Sequence, residues 1–357
     1  MRISIGLLLL LAAASCSSDS KNMPLALGLP GDVYFVMDSS QWKGPLGRTL
    51  DSIFSEEVPG LPRKESLFTT RWIDPRKLNT ALKQRRNLIF VMTLDRNDQG
   101  ARIVRGLFTP ESIEKIRTEP EKYNRTAADV FARNQEVLYL YSPKEELLRR
   151  HVIRNAPSLI SYFNVKERER MSHSLFKAGE MKGLTQLLQK EFQCEMRFPF
   201  GFKLADKDTN FVWFRQINPK DDKDIFIARK KYSSRQNFNK DELIAFRDEI
   251  CKKYLFGDPA RTDSYIVTEM RPYIPVTLDT VNFNGHFGMK MYGLYRSNDY
   301  LFGGPFVSFA LIDEGRHEFY YLEGFTISPG RDQREIMREL ETILYTFRTS
   351  KELTTVK

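Results

Sequence analysis

The order of apolar and polar positions divides the chain into three kinds of stretch. In the first, short apolar runs alternate with helical spacing. Asp32-Val33-Tyr34-Phe35-Val36-Met37 reads as a buried strand. Gln41 to Ser55 reads as a helix with Leu46, Leu50, Ile53 and Phe54 on one side, stopped by Val58-Pro59-Gly60-Leu61-Pro62. Further strands are predicted at Leu67 to Ile73, Asn87 to Leu94 and Gln135 to Tyr141. A short helix after Asp74-Pro75 meets the N-cap and first-turn preferences. Strands alternating with helices predict an α/β layer over residues 28–142. From Lys144 to Phe192 the spacing becomes helical. Leu148, Val152, Ala156, Leu159, Ile160 and Phe163 recur at 3.6-type intervals, and Pro157 is expected to kink the helix. The KERERM run at 166–171 reads as a solvated helix face with Glu and Arg paired at i, i+3 or i, i+4. Residues 143–193 are thus connecting helices.

The third stretch, 194–350, is rich in strands. Phe202 to Ala205, Asn210 to Ile217, Asp224 to Lys231 and Ser264 to Met270 are strand candidates, with a helix from Lys240 to Tyr254. Two hairpins follow. Asn284-Gly285 sits between strand-like runs, and a two-residue I′ turn needs φ > 0 at both positions. Glu314-Gly315 separates FVSFALID from HEFYYLEGFTI. A closing helix from about Arg331 carries Ile336, Leu340, Ile343, Leu344 and Phe347 on one face, with Arg334, Arg338 and Glu341 largely off it. The prediction is a mostly antiparallel sheet with helices laid on one face. The whole is an α+β chain of two sheet-and-helix domains.

The first fifteen residues form a leader. Met1-Arg2 is positive, and Ile5 to Ala14 is an unbroken apolar run. That run is shorter than the roughly 20 residues a membrane span needs and fits the core of a signal peptide. Ala13-Ala14-Ser15-Cys16 resembles the lipobox of bacterial lipoproteins, with Ala13 where Leu is usual. Cys16 is then the lipid-attachment residue, residues 16–27 a polar tether, and the acyl chains the contact with the membrane. An ordinary secretory signal cleaved nearby is the alternative. Ser17 rather than Asp after the cysteine points, by analogy with bacterial sorting rules, to the outer membrane, with the leaflet left open.

Composition changes this picture little. The chain has 357 residues, is 41% hydrophobic and contains 26 Phe and 15 Tyr, enough for two real cores. The formal charge is +9, but Lys and Arg are interleaved with Asp and Glu. A concentrated basic stripe is missing, so no nucleic-acid partner is expected. Cys194 and Cys251 are the two cysteines beyond Cys16, open to a disulfide or to two buried thiols. There is no CxxC, and His151, His173, His286 and His317 are scattered, so no metal site is expected. His286 and His317 share the C-terminal sheet and are better read as imidazoles on its polar side.

No GxSxG, Walker, HExxH, GxGxxG or EF-hand pattern occurs, so no catalytic residue and no cofactor is assigned. The candidate ligand-binding residues are Arg296 and Asp299 beside the Gly303-Gly304-Pro305 connection, together with Trp42 as the most exposed of three tryptophans. Trp213, flanked by Phe211 and Phe214, is read as core. Asp299, Asp313 and Glu323 support a weaker alternative, an enzyme acting on glycan or peptidoglycan through a carboxylate pair.

Several segments carry a family resemblance. QWKGPLG, GLPRKESLF, RRNLIFVM, FVWFR, IAFRDEI and YLFGDP, then YGLYRSNDYLFGGPFVSFALID and YLEGFTISPGRDQREIMRELETIL, together resemble Bacteroidetes envelope lipoproteins catalogued as domain of unknown function 4837. The resemblance runs from about Gly28 to Leu344, with Tyr295 and Leu301-Phe302 where Trp and Met are expected. It implies a lipid-anchored envelope protein, a binding or structural component with an envelope protein or glycan as partner, and it transfers no catalytic residue. At the level of fold, residues 198–254 also resemble PsbP-like modules.

Overall fold

The computed structural model describes residues 22–219, 221–258, 261–272 and 274–349. The leader and Cys16 lie outside the described residues. The chain forms two compact units. Thr70–Arg154 joins the chain up to Leu50, and Asp51–Thr69 joins the chain from Asn155 onward. The first unit therefore extends past residue 142, and 51–69, drawn into the first domain from the sequence, goes with the second. The architecture is α+β.

The first unit has a five-stranded sheet in the order β2-β1-β3-β5-β4. Its strands are β1 (Asp32–Val36), β2 (Thr69–Ile73), β3 (Asn87–Thr93), β4 (Asn124–Ala128) and β5 (Glu136–Ser142). β3 runs parallel to both β1 and β5, while β4 is antiparallel to β5. Every residue of β3 is buried, which is why NLIFVMT is apolar without alternation. The connections carry α1 (Ser39–Lys43), α2 (Pro45–Phe54), α3 (Thr80–Lys83), α4 (Gln99–Arg105), α5 (Pro110–Thr118) and α6 (Glu145–Arg154). Three of these elements had no sequence counterpart: α4, α5 and β4. β4 is NRTAA, largely exposed and without alternation. α5 did carry a signal, because Thr109 caps it through Ser112 N–H at 3.2 Å with Pro110 in its first turn.

The second unit begins its helical part with α7 (Ala156–Lys177) and α8 (Lys182–Leu187). Pro157 lies in the first turn of α7, so it starts a new helix rather than kinking a continuous one. A two-stranded ribbon, β6 (Cys194–Glu195) with β16 (Arg348–Thr349), lies outside the main sheet. The main sheet contains β7 (Lys203–Asp208), β8 (Phe211–Ile217), β9 (Asp222–Lys231), β10 (Phe256–Asp258), β11 (Arg261–Thr268), β12 (Thr277–Phe283), β13 (His286–Ser297), β14 (Gly303–Asp313) and β15 (Glu318–Ile327). Its order is β10-β11-β13-β14-β15-β9-β8-β7, with β12 paired to β13. Phe283 faces His286 across Asn284-Gly285, whose φ values of 54° and 95° fit the predicted turn.

Two helices cover this sheet, one on each face, and not both on one face as the sequence reading had it. Against α10 (Arg334–Leu344) lie Ile225, Ile227, Val307, Phe309 and Leu322. Against α9 (Lys240–Tyr254) lie Phe226, Ala228, Ala310, Phe319 and Tyr321. Adjacent residues point to opposite faces and both sets are apolar, so EFYYLEGFTI reads as one continuous run. α10 packs tightly. A Cβ added at Gly324 would come within 2.9 Å of Leu340 Cβ. Cys194 belongs to the α10-side core and Cys251 to the α9-side core, and both are free and buried. Of the two readings open in the sequence, the structure has buried thiols. Among the described residues no helix is long and apolar enough to cross a membrane.

Candidate functional site

Within the second unit, on the α10 face, β12–β14, α7, α10 and the 58–67 segment surround a cavity of about 690 Å³. The loop wall is built by backbone pairing. Val58 N–H donates to Glu65 O at 2.8 Å and Leu67 N–H to Glu56 O at 2.7 Å. Pro59-Gly60 makes the turn between these arms, and Gly60 takes φ +74°, a conformation that suits glycine. The Glu65 carboxylate then accepts the N–H groups of Gln333 (2.7 Å) and Arg334 (2.9 Å). Those are orphan donors at the start of α10, so Glu65 caps the helix from a distant loop. Arg334 donates to Ser66 O at 2.9 Å and Arg338 to Leu67 O at 3.2 Å. The loop is fastened to the helix, which places Val58 and Leu61 across from Val281, Tyr292 and Val307.

The polar part of the cavity is a compact cluster. Lys290 Nζ lies 2.7 Å from Glu341, and the Arg168 guanidinium lies 3.5 Å from the same carboxylate. Arg168 also sits 3.8 Å above the Tyr345 ring centroid, and Lys290 Nζ is 4.4 Å from that of Tyr292. Lys290 is only 8% exposed. Burial lowers its pKa, with Glu341 pulling the other way. Burial, reinforced by Glu341, pushes Tyr345 up to about 12. Two cations therefore share one carboxylate in a space walled largely by apolar side chains. Cavities of about 300–1,000 Å³ with apolar walls and a few convergent polar groups are the usual form of a small-molecule site.

The α9 face holds a contrasting cluster. Arg247 and Glu323 are both fully buried, joined at 2.8 and 2.9 Å. Thr268 Oγ1 accepts from Arg247 at 3.0 Å, Tyr321 O–H donates to Glu323 at 2.7 Å, and the guanidinium lies 4.1 Å over Phe306. Neither Arg247 nor Glu323 lines the cavity under α10.

The residues named from the sequence are placed apart. Trp42 belongs to the first unit, stacked on Phe35 at 5.5 Å. The other four lie at one end of β13 and β14. Gly303 and Gly304 are not a connecting loop; they begin β14, paired with Arg296 and Tyr295. A Cβ at Gly303 would meet Tyr295 O at 2.5 Å, and one at Gly304 would meet Thr326 O at 2.2 Å. Close packing against neighbouring backbone accounts for both glycines. Arg296 stacks on Tyr300 at 4.0 Å and pairs with Glu269 at 3.5 Å. Asp299 accepts from Ser264 at 3.0 Å, and hydrogen bonds, that from Ser297 first, hold its carboxyl below the usual range. The carboxylates of the enzyme alternative do not converge. Asp299 and Asp313 flank opposite ends of β14, about 33 Å of strand, and Glu323 is engaged by Arg247. Among the described residues no group of three or more His, Cys, Asp or Glu side chains is placed to hold a metal.

Sequence reasoning missed Lys290, Arg168 and Glu341. The KERERM run is only partly a solvated face. Lys166 pairs with Glu169 at 3.1 Å as expected, but Glu167 is buried against Arg170 at 2.8 Å, and Arg168 turns to Glu341. One signal was available: Lys290 and Tyr292 share the inward parity of β13, so a lysine interrupts a face that otherwise builds core.

Comparison with known proteins adds family names without an activity. No curated protein matches the chain. Among solved structures, the Saccharomyces cerevisiae Ran-binding protein Mog1p is 9% identical, with a TM-score of 0.30 over 44% of this chain and 90% of its own. The human StarD13 (DLC2) lipid transfer and protein localization domain is 10% identical, with a TM-score of 0.21 over 46% of this chain and 95% of its own. The resemblance read from Gly28 to Leu344 as one family divides in two. Residues 26–176 match the family model "Domain of unknown function (DUF8532)" and residues 182–346, which carry α10, β13 and the charged cluster, match "Domain of unknown function (DUF4837)".

Proposed function

We propose that this chain is a binding protein of a bacterial cell envelope, held to the outer membrane by lipid on Cys16, and that it works by taking a ligand into the cavity under α10. The observation that carries the reading is the cavity itself: about 690 Å³, with walls largely apolar and a charged cluster at Lys290, Arg168 and Glu341. The leader pattern supports the anchor, and the lipobox-like Ala13-Ala14-Ser15-Cys16 supports the site of lipidation. An envelope protein or glycan partner would then meet the chain at that membrane. Arg296, Asp299, Gly303, Gly304 and Trp42 serve their own strands and helices in this reading.

Two experiments test it. Cys16→Ser should release the protein from the membrane fraction; unchanged retention contradicts the anchor. A neutral apolar fluorophore should brighten with the full chain and fail to do so with Val281→Trp, which fills the cavity from its wall. Equal brightening by both proteins, with equal unfolding midpoints, contradicts the cavity as the binding site.

A further inference from the structure

We infer that the cavity takes an anionic amphiphile, a molecule with a carboxylate or phosphate head and an apolar body, whose head lies against Lys290 and Arg168. The inference rests on the cavity being a binding site and names its ligand class.

Lys290 and Arg168 both lean on Glu341, so the cluster holds two cations for one contacting anion. An ammonium has three donors, and one carboxylate contact accompanies Lys290 Nζ; the faces of Tyr292 (4.4 Å) and Phe309 (5.6 Å) take up part of the remaining positive field. A buried donor without an acceptor is costly, and a charged acceptor gives the strongest replacement. Asp279 lines the cavity as well and stands directly opposite Lys290 in the β12–β13 pair, but it is exposed, so water screens its charge.

This pair differs from the other cations that line the cavity. Arg334 and Arg338 also share one carboxylate, Glu335, at 2.8 and 2.5 Å. Their remaining donors hold the carbonyls of Ser66 and Leu67, so they fasten the wall. Lys290 and Arg168 are held instead by Glu341 and by aromatic rings, and both line the cavity.

Part of the remaining lining suits an apolar body. Val281 and Val307 from the sheet face Leu61 from the loop, and such walls exclude water and strengthen an ion contact made between them. A cationic ligand would meet two like charges. A bare sugar could bond Ser161, Asn164, Thr280 and Asn282, which also line the cavity. It would leave Lys290 and Arg168 without a further anionic partner and set hydroxyls against Leu61, Val281 and Val307. An apolar tail with an anionic end satisfies both halves.

The test is calorimetric titration of the full chain with dodecanoate, dodecyl phosphate, dodecan-1-ol and acetate, each kept monomeric. Both anionic amphiphiles should bind at least tenfold more tightly than the alcohol, and acetate should not register. The tighter of the two anions identifies the head as carboxylate or phosphate. Lys290→Gln should lower anion affinity about tenfold and leave the alcohol unchanged. Because that change strips Glu341 of a partner, the paired Lys290→Gln/Glu341→Gln variant, whose two amides can bond each other, is measured beside it and should also lose the preference. Dodecanol binding as tightly as the anions overturns the ligand class and leaves the cavity reading standing. Binding of none of the amphiphiles overturns both. Anion binding unchanged in the variants overturns the placement of the head.

Discussion

The two faces of the nine-stranded sheet solve one problem in opposite ways. Each face receives a helix, and each puts a cation and a carboxylate beneath it. On the α9 side Arg247 and Glu323 are fully buried, and Thr268 and Tyr321 complete their bonding. On the α10 side Lys290 and Arg168 share Glu341 beside a cavity. The first arrangement is closed within the core: Arg247 holds Glu323 and, at 3.4 Å, the part-exposed Asp248, and neither Arg247 nor Glu323 lines the cavity. The second sets two cations on one carboxylate, with a space beside them. Buried charge alone does not mark a site. A buried charge with unfinished pairing and an adjoining space does.

The comparison can be broken most forcefully on the closed face. Glu323→Ala leaves Arg247 charged in the core with only the longer contact to Asp248 at 3.4 Å to offset it, and breaking such a buried pair costs about 3–5 kcal/mol. Urea unfolding should show that loss, while Arg247→Met with Glu323→Leu should recover most of it. A loss under about 1 kcal/mol for Glu323→Ala would mean that the pair is not sealed. On the open face, Lys290→Met should cost much less, on the order of 1 kcal/mol, because Glu341 keeps Arg168 and stays part-exposed. A loss as large as that of Glu323→Ala would make the two faces alike.

A third, smaller effect concerns pH and again separates the faces. Asp224 lies on the α9 side, where burial pushes its carboxyl up to about 7 despite Arg215 at 2.7 Å and Trp213 at 2.9 Å. The folded state then binds the proton more tightly than the unfolded state. Stability from this group should fall as pH rises from about 4 to about 7 and level off above. Asp224→Asn should flatten that slope in melts taken across the interval; an unchanged slope would assign it elsewhere. The smallest effect is chemical. Cys194 and Cys251 lie on opposite faces, and burial raises both thiols, so neither should react with a thiol reagent until the protein unfolds. Labelling of the folded chain would contradict their burial.

The sequence made much of this architecture legible and little of the site. Asn284-Gly285 and the 3.6-spaced apolar face of α10 are local signals, and local signals suffice for a hairpin and an amphipathic helix. The two-sided burial of the sheet was visible in EFYYLEGFTI as a run without alternation, yet a period cannot say that α9 and α10 take different faces. Glu65 looks like any loop carboxylate until the fold brings it to the start of α10. Arg168, Lys290 and Glu341 are widely separated in the chain and meet only through packing. The glycines at 303 and 304 drew attention for a good reason, close approach, but what approaches them is the protein's own backbone.

The account stands or falls on where an anionic amphiphile sits. A crystal structure of the protein with 12-bromododecanoate would show this directly. The account predicts a carboxylate oxygen within about 3 Å of Lys290 Nζ and an anomalous bromine peak inside the cavity, among Leu61, Val281 and Val307. Bromine outside the cavity, or a carboxylate turned to solvent away from Lys290 and Arg168, would contradict it.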